Sequence, residues 1–355
     1  MSSDIHIYKN KYQMAWLDGA FYDSILIFGV FALAVISGVI VSFRPDLFVP
    51  VMLADVWLLG YHHVISTFTK LAGTKADRQE NWFFIYVLPI LVLLAVAVLG
   101  LKIGIVAIVT IYLFWQWFHY TRQSWGIAAF YKRKAGMRPS ANPRLDEVVF
   151  WAIPIWGILN RCAQGWDEFL FLPVWMPMIP MEVANVFGVI AVASLGYWVY
   201  QRFQNYREGN LSIGLTAFEL SHFVIFYLGY VAFGEMNHGW LVANIWHNAQ
   251  YILFVWLYNT NRFKNVDKDQ IGVMAWISQK TPMRILLYFA FCLIATTLFY
   301  KNMQVILSHI SQGEIAMLMM LNVVIFQTVN FHHYIVDSYI WKARNKKNQK
   351  VMKVY

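Results

Sequence analysis

Cysteine is nearly absent: the 355 residues include two, Cys162 and Cys292. They lie on separate apolar stretches and form no C-x-x-C, which excludes a disulfide framework and a thiolate zinc site. Charge is also scarce. Asp, Glu, Lys and Arg supply 13% of the residues against 59% hydrophobic ones. That balance belongs to a polytopic membrane protein and not to a water-soluble domain. Internal repeats, low-complexity tracts and hydrophilic domains are missing, so residues 1–355 read as one integral membrane domain. Acidic residues number 19 against 28 basic ones, giving a formal net charge of +9. The placement of that charge, not a basic motif, accounts for the excess and removes nucleic acid from the list of partners.

What the chain has is long apolar runs. Runs of spanning length lie at about 22–43, 47–68, 82–100, 103–131, 145–162, 182–201, 211–233, 239–259, 284–300 and 315–341. The first is too long for a signal-peptide core and reads as a retained span. The fifth is interrupted by Pro154, and the apolar, proline-bearing stretch from Gln164 to Pro180 reads as surface-lying or re-entrant. Arg44, Lys102, Arg161 and Lys301 fall on one set of alternating loops, Arg122 falls inside a span, and every other Lys and Arg falls on the opposite set. This alternation predicts an all-α polytopic bundle of about ten spans with both termini cytoplasmic. Residues 1–21 form the N-terminal cytoplasmic segment and 342–355 a basic tail. The setting fits a bacterial inner membrane.

Seven of the ten histidines fall inside these spans: His62, His63, His119, His222, His247, His332 and His333. All lie at mid-depth or in the inner half, on five different helices. An ionisable side chain in hydrocarbon is costly and usually serves a purpose in the bundle interior. A lone intramembrane histidine bonded to a helix carbonyl is more often structural than a ligand. Seven at one depth point instead to a metal centre. Glu219 and His222 are three residues apart on one face, a spacing used in carboxylate-bridged di-iron bundles. Asp337 lies four residues after His333, and Asp55 two turns before His62 on a common face. Gln116, Gln123 and Arg122 flank His119, while Asn244, Gln250 and Tyr251 flank His247. Such residues can hold the second nitrogen of a ligating imidazole. The nine candidate ligands are therefore the seven histidines, Glu219 and Asp337, with Arg122, Asp55 and Tyr251 as candidate catalytic groups. Adjacent histidines point about 100° apart, so one of each pair can simply pack.

Imidazoles with carboxylates suit iron, zinc or copper, and the ligand count favours two metals, iron first, or one metal with a rich outer shell, over one four-coordinate zinc. On His62–His63, His119, Glu219–His222, His247 and His332–His333, the chain resembles the histidine-rich integral membrane non-haem iron oxygenases. These include the fatty-acid desaturase and hydroxylase group and the bacterial carotene-cleaving enzymes. Boxes of two or three clustered histidines are absent, so the resemblance is to the class. It implies iron, O2 and a hydrophobic or lipid-like substrate. Flavin, haem and iron–sulfur motifs are not visible, so a separate electron donor is expected. A transition-metal or proton transporter is the alternative reading, and a haem-binding electron carrier the third.

Overall fold

The computed structural model describes residues 12–137, 142–264 and 272–354. Residues 1–11 of the expected N-terminal segment, His6 among them, and Tyr355 of the tail lie outside it, as do Arg138 and Lys268. The protein is an all-α bundle built around ten long helices. These are α1 (Ala20–Phe43), α2 (Pro45–Leu71), α3 (Phe83–Lys102), α4 (Ile105–Lys134), α5 (Pro143–Gln164), α6 (Met181–Arg207), α7 (Ile213–Ala232), α8 (Met236–Arg262), α9 (Pro282–Ser311) and α10 (Ile315–Ile340). Seven of them, all but α4, α5 and α8, are long and apolar enough to cross a membrane. This marks an integral membrane protein.

Burial accounts for the most polar interior helix among the three exceptions. Helix α8 is covered along nearly its whole length and carries Asn244, His247, Asn248, Gln250 and Tyr251 inward. It packs on α1, α2 and α7 and also touches α4. A helix surrounded by protein needs no hydrocarbon-compatible surface, whereas α1, α3, α6 and α9 expose rows of Leu, Ile, Val and Phe. Polarity is thus concentrated at the centre and apolarity at the rim. Close packing of α7 on α8 is set by Gly229 and Gly239: a Cβ on Gly239 would lie 2.0 Å from the Gly229 carbonyl oxygen.

Two local departures from regular helix matter for the site. In α2 a π-helical turn, Val56–Gly60, separates Asp55 from the two histidines. A π turn inserts one extra residue, so the face of Asp55 continues at His63 and not at His62. The expected common face of Asp55 and His62 is corrected accordingly. Helix α5 runs unbroken through Pro154, where an interruption was expected. The segment 164–180 folds over the ends of α4 and α8. It forms a small hairpin, Glu168–Phe169 paired with Leu172–Pro173, and buries Phe169 and Val174. It is tied down by Leu170 N–H donating to Asn237 Oδ1 (3.0 Å) and Trp175 N–H donating to Thr110 Oγ1 (2.9 Å).

Candidate metal centre

Four histidines from four helices meet at the bundle's centre: His63 of α2, His119 of α4, His247 of α8 and His333 of α10. Their rings form a closed circuit, with centroids 5.3 Å apart for His63–His247, 5.0 Å for His247–His119, 5.0 Å for His119–His333 and 4.7 Å for His333–His63. A metal–nitrogen bond of about 2.1 Å places an imidazole centroid roughly 3.2 Å from an ion. Four such rings sit roughly 4.5 Å apart around a square centre and roughly 5.2 Å apart around a tetrahedral one. The observed circuit, 4.7 to 5.3 Å, lies close to that range. Two groups of ligand atoms, His63–His247–His333 and His119–His333–Asp337, each lie within 4.8 Å of one another and could hold a metal ion.

Hydrogen bonding separates these residues from His222 and His332. Both ring nitrogens of His63 and of His247, Nε2 of His119 and of His333, and Oδ2 of Asp337 are buried without a hydrogen-bond partner. An unsatisfied buried polar atom costs about 1–3 kcal/mol, so a convergent group of them needs an explanation. Asp337 Oδ2 stands 3.6 Å from His333 Nε2 and 3.9 Å from His119 Nε2.

The rest of the cluster is fixed by a relay of hydrogen bonds. With Asp337 ionised, Tyr251 donates its one hydroxyl proton to Asp337 Oδ1 (2.7 Å). The Thr67 hydroxyl must then donate to Tyr251 (2.8 Å) and accept from His333 Nδ1–H (2.9 Å). That assignment leaves His333 Nε2 with its lone pair towards the other three imidazoles. Trp341 Nε1–H also donates to the Tyr251 oxygen (2.9 Å), and Lys70 Nζ sits 3.5 Å over the Trp341 ring while donating to the Ile340 carbonyl (2.7 Å). Tyr120 stacks on His247 at 3.9 Å and Tyr334 on His119 at 4.3 Å, holding both rings flat.

The remaining candidates are placed elsewhere. His222 was expected among the ligands, but both its nitrogens are used: Nε2–H donates to the Phe150 carbonyl (3.2 Å) and Nδ1 accepts from Ser124 Oγ (2.8 Å). Phe150 lies four residues before Pro154, which has no N–H to offer that carbonyl. His332 does the same service in α3. Its Nε2–H donates to the Phe84 carbonyl (2.6 Å), which is free because Leu88 N–H goes to Phe83 and residue 89 is proline. Both are therefore structural, which also explains why α5 survives its proline. Glu219 accepts from Trp198 Nε1 (2.7 Å) and faces Lys132 and Arg202, each at 3.7 Å, so it belongs to a separate ionic cluster. His62 turns away from His63 into a groove on the bundle's flank.

The three expected catalytic groups are also resolved. Tyr251 belongs to the relay at Asp337. Asp55 lies on the other side of His247, where Asn244 Nδ2 donates to it (2.5 Å) and Asn244 in turn accepts from Tyr120. Arg122 lines a cavity of about 620 Å³ together with His119, Gln123, Tyr251, Asp337 and Trp341. This cavity opens among Lys342 and Arg344 and reaches the cluster itself.

Comparison with known families, characterised proteins and solved structures yields no match.

Thr67, which bonds both Tyr251 and His333, is the relay residue that sequence reading passed over. It lies one helical turn after His63 on the same face, and that i,i+4 spacing was the available signal.

Proposed function

We propose that the protein is an integral membrane metalloenzyme in which one non-haem transition-metal ion, iron first, is held by one of two donor groups that share His333, either His63–His247–His333 or His119–His333–Asp337. At this centre O2 oxidises a hydrophobic, lipid-like substrate. The observation that carries the reading is the convergence of unpartnered buried nitrogens from four helices, with a carboxylate beside them. All-imidazole and carboxylate donors without thiolate suit iron, copper or zinc. One ion is favoured over the expected pair because Glu219, the carboxylate assigned to bridge, is engaged by Trp198, Lys132 and Arg202. The cavity beside His119 and Asp337 supports an amphiphilic substrate, since Trp115, Phe118 and Phe254 wall it and Arg122, Lys342 and Arg344 line it. Tyr251 would hold a proton within reach of Asp337, and Arg122 would orient the substrate. In this reading all ten long helices span, both termini are cytoplasmic and the protein sits in a bacterial inner membrane.

Elemental analysis of detergent-purified protein, with optical and spin-resonance spectra, tests the centre. The expected stoichiometry is one metal per chain, with O2 consumption once an electron supply is added. Wild-type protein that stays metal-free after expression and loading with iron, copper and zinc would sink the proposal.

One observation favours a transporter instead. Asp55, Asn244 and Tyr120 continue the polar track beyond His247, so polar groups run from Asp55 through the cluster to the Arg122 cavity. Metal flux into sealed vesicles, abolished by Asp55→Ala and unaccompanied by O2 uptake, would decide for that reading.

A further inference from the structure

A groove of about 540 Å³ runs along the flank of the bundle between α1, α2, α8 and α9. Its wall is aliphatic, with Ile25, Leu33 and Leu58 exposed at its edges, and Phe289 stands edge-on to the His62 ring at 5.7 Å. His62 is the one polar side chain that lines it. That imidazole is 4% exposed, and its Nε2 has no hydrogen-bond partner. The two other histidines that the cluster leaves out each satisfy a carbonyl that a proline has orphaned; His62 satisfies none through Nε2. An apolar slot lined by an imidazole with an unpartnered nitrogen is suited to a ligand with one hydroxyl and a hydrophobic body. The slot has the volume of an ordinary small-ligand site. Its position is equally informative. The π turn of α2 that aims His63 at the metal ligands aims His62 outward, so the groove and the cluster are separated by a single peptide unit.

We propose that this groove binds a lipid-soluble quinol, with one ring hydroxyl hydrogen-bonded to His62 and the tail lying in the bilayer. The electron-donating role rests on the oxygenase reading above; the binding site does not. A quinol is chosen over an acyl chain because a chain has no use for the His62 nitrogen. It is chosen over a simple alcohol because O2 chemistry at the cluster consumes two electrons that the protein has no flavin, haem or iron–sulfur motif to supply. The balance is R–H + O2 + QH2 → R–OH + H2O + Q. The quinol gives up two electrons and two protons, one oxygen atom enters the substrate's C–H bond, and the other leaves as water.

The test uses the full-length protein in detergent, with decyl-ubiquinol as the probe and tryptophan fluorescence as the readout. His62→Leu removes the hydrogen bond, and Ala290→Trp fills the groove from an exposed position on α9 that should not affect folding. Both variants should bind the probe at least about tenfold more weakly than wild type, the loss expected for one hydrogen bond to a buried group. Metal content should be unchanged in both. Equal affinity in all three proteins would overturn the assignment. So would full reversal of the fluorescence change by an equal concentration of decanol. Groove-dependent binding in a wild-type protein that takes up no metal would uphold the site while removing the metalloenzyme reading, so the two failures are distinguishable.

Discussion

Pro89 and Pro154 each deprive an upstream carbonyl of its helical partner, and His332 and His222 fill the two gaps. At the scale of single residues, then, the intramembrane histidines other than His62 either repair a helix or face other histidines. The two classes should respond differently to substitution. His333→Ala is expected to strip the metal, whereas His222→Ala should retain it. The latter should cost about 1–3 kcal/mol of stability through the unsatisfied Phe150 carbonyl. Elemental analysis and thermal unfolding on the same samples check both. Loss of metal from His222→Ala with unchanged stability would reverse the assignment. The ligand types and the relay residues Asp337 and Tyr251 were legible in the sequence because they recur at helical spacing from a histidine. The sorting of ligands from repair residues was less so. It depends on which carbonyl faces which ring across helices, and that is a property of packing.

At the scale of elements, the π turn Val56–Gly60 shows why register was hard to read. Straight-helix arithmetic aligns Asp55 with His62, and one inserted residue hands that alignment to His63. Nothing in V-W-L-L-G announces the insertion, whereas the positions of α2 and α10 themselves were plain from their apolar runs. Helix α5 offers a second case, and a quantitative test. Pro154→Ala supplies the N–H that Phe150 lacks, so His222 should become dispensable for α5. In a double-mutant cycle, His222→Phe should therefore cost at least about 1 kcal/mol less in the Pro154→Ala background than in wild type, within the usual range for contacting residues. Strict additivity would show that the Phe150–His222 bond contributes nothing to the helix.

At the scale of the whole molecule, the ten long helices match the ten apolar runs of the sequence closely. Hydropathy marks seven of them strongly because they carry the apolar surface that lipid demands, and α4, α5 and α8 more weakly. Orientation rests on the alternation of basic loops. If it holds, single cysteines introduced at Lys134 and Lys346 should label from the same side of sealed inverted vesicles, and neither should label in intact cells. Background should be low because Cys162 and Cys292 are both buried. Labelling of the two positions from opposite sides would contradict an even number of crossings between them.

The inward concentration of polarity also bears on biogenesis. Helices α4 and α8, which contribute His119 and His247, are among those too polar to count as spans by composition alone. Such segments partition poorly into lipid one at a time and are drawn in by neighbours that are already there. Two of the four imidazoles thus depend on neighbouring helices to reach the bilayer. In the metalloenzyme reading both donor groups need His333 of α10, so a chain that ends before α10 would have no complete site at which to capture metal.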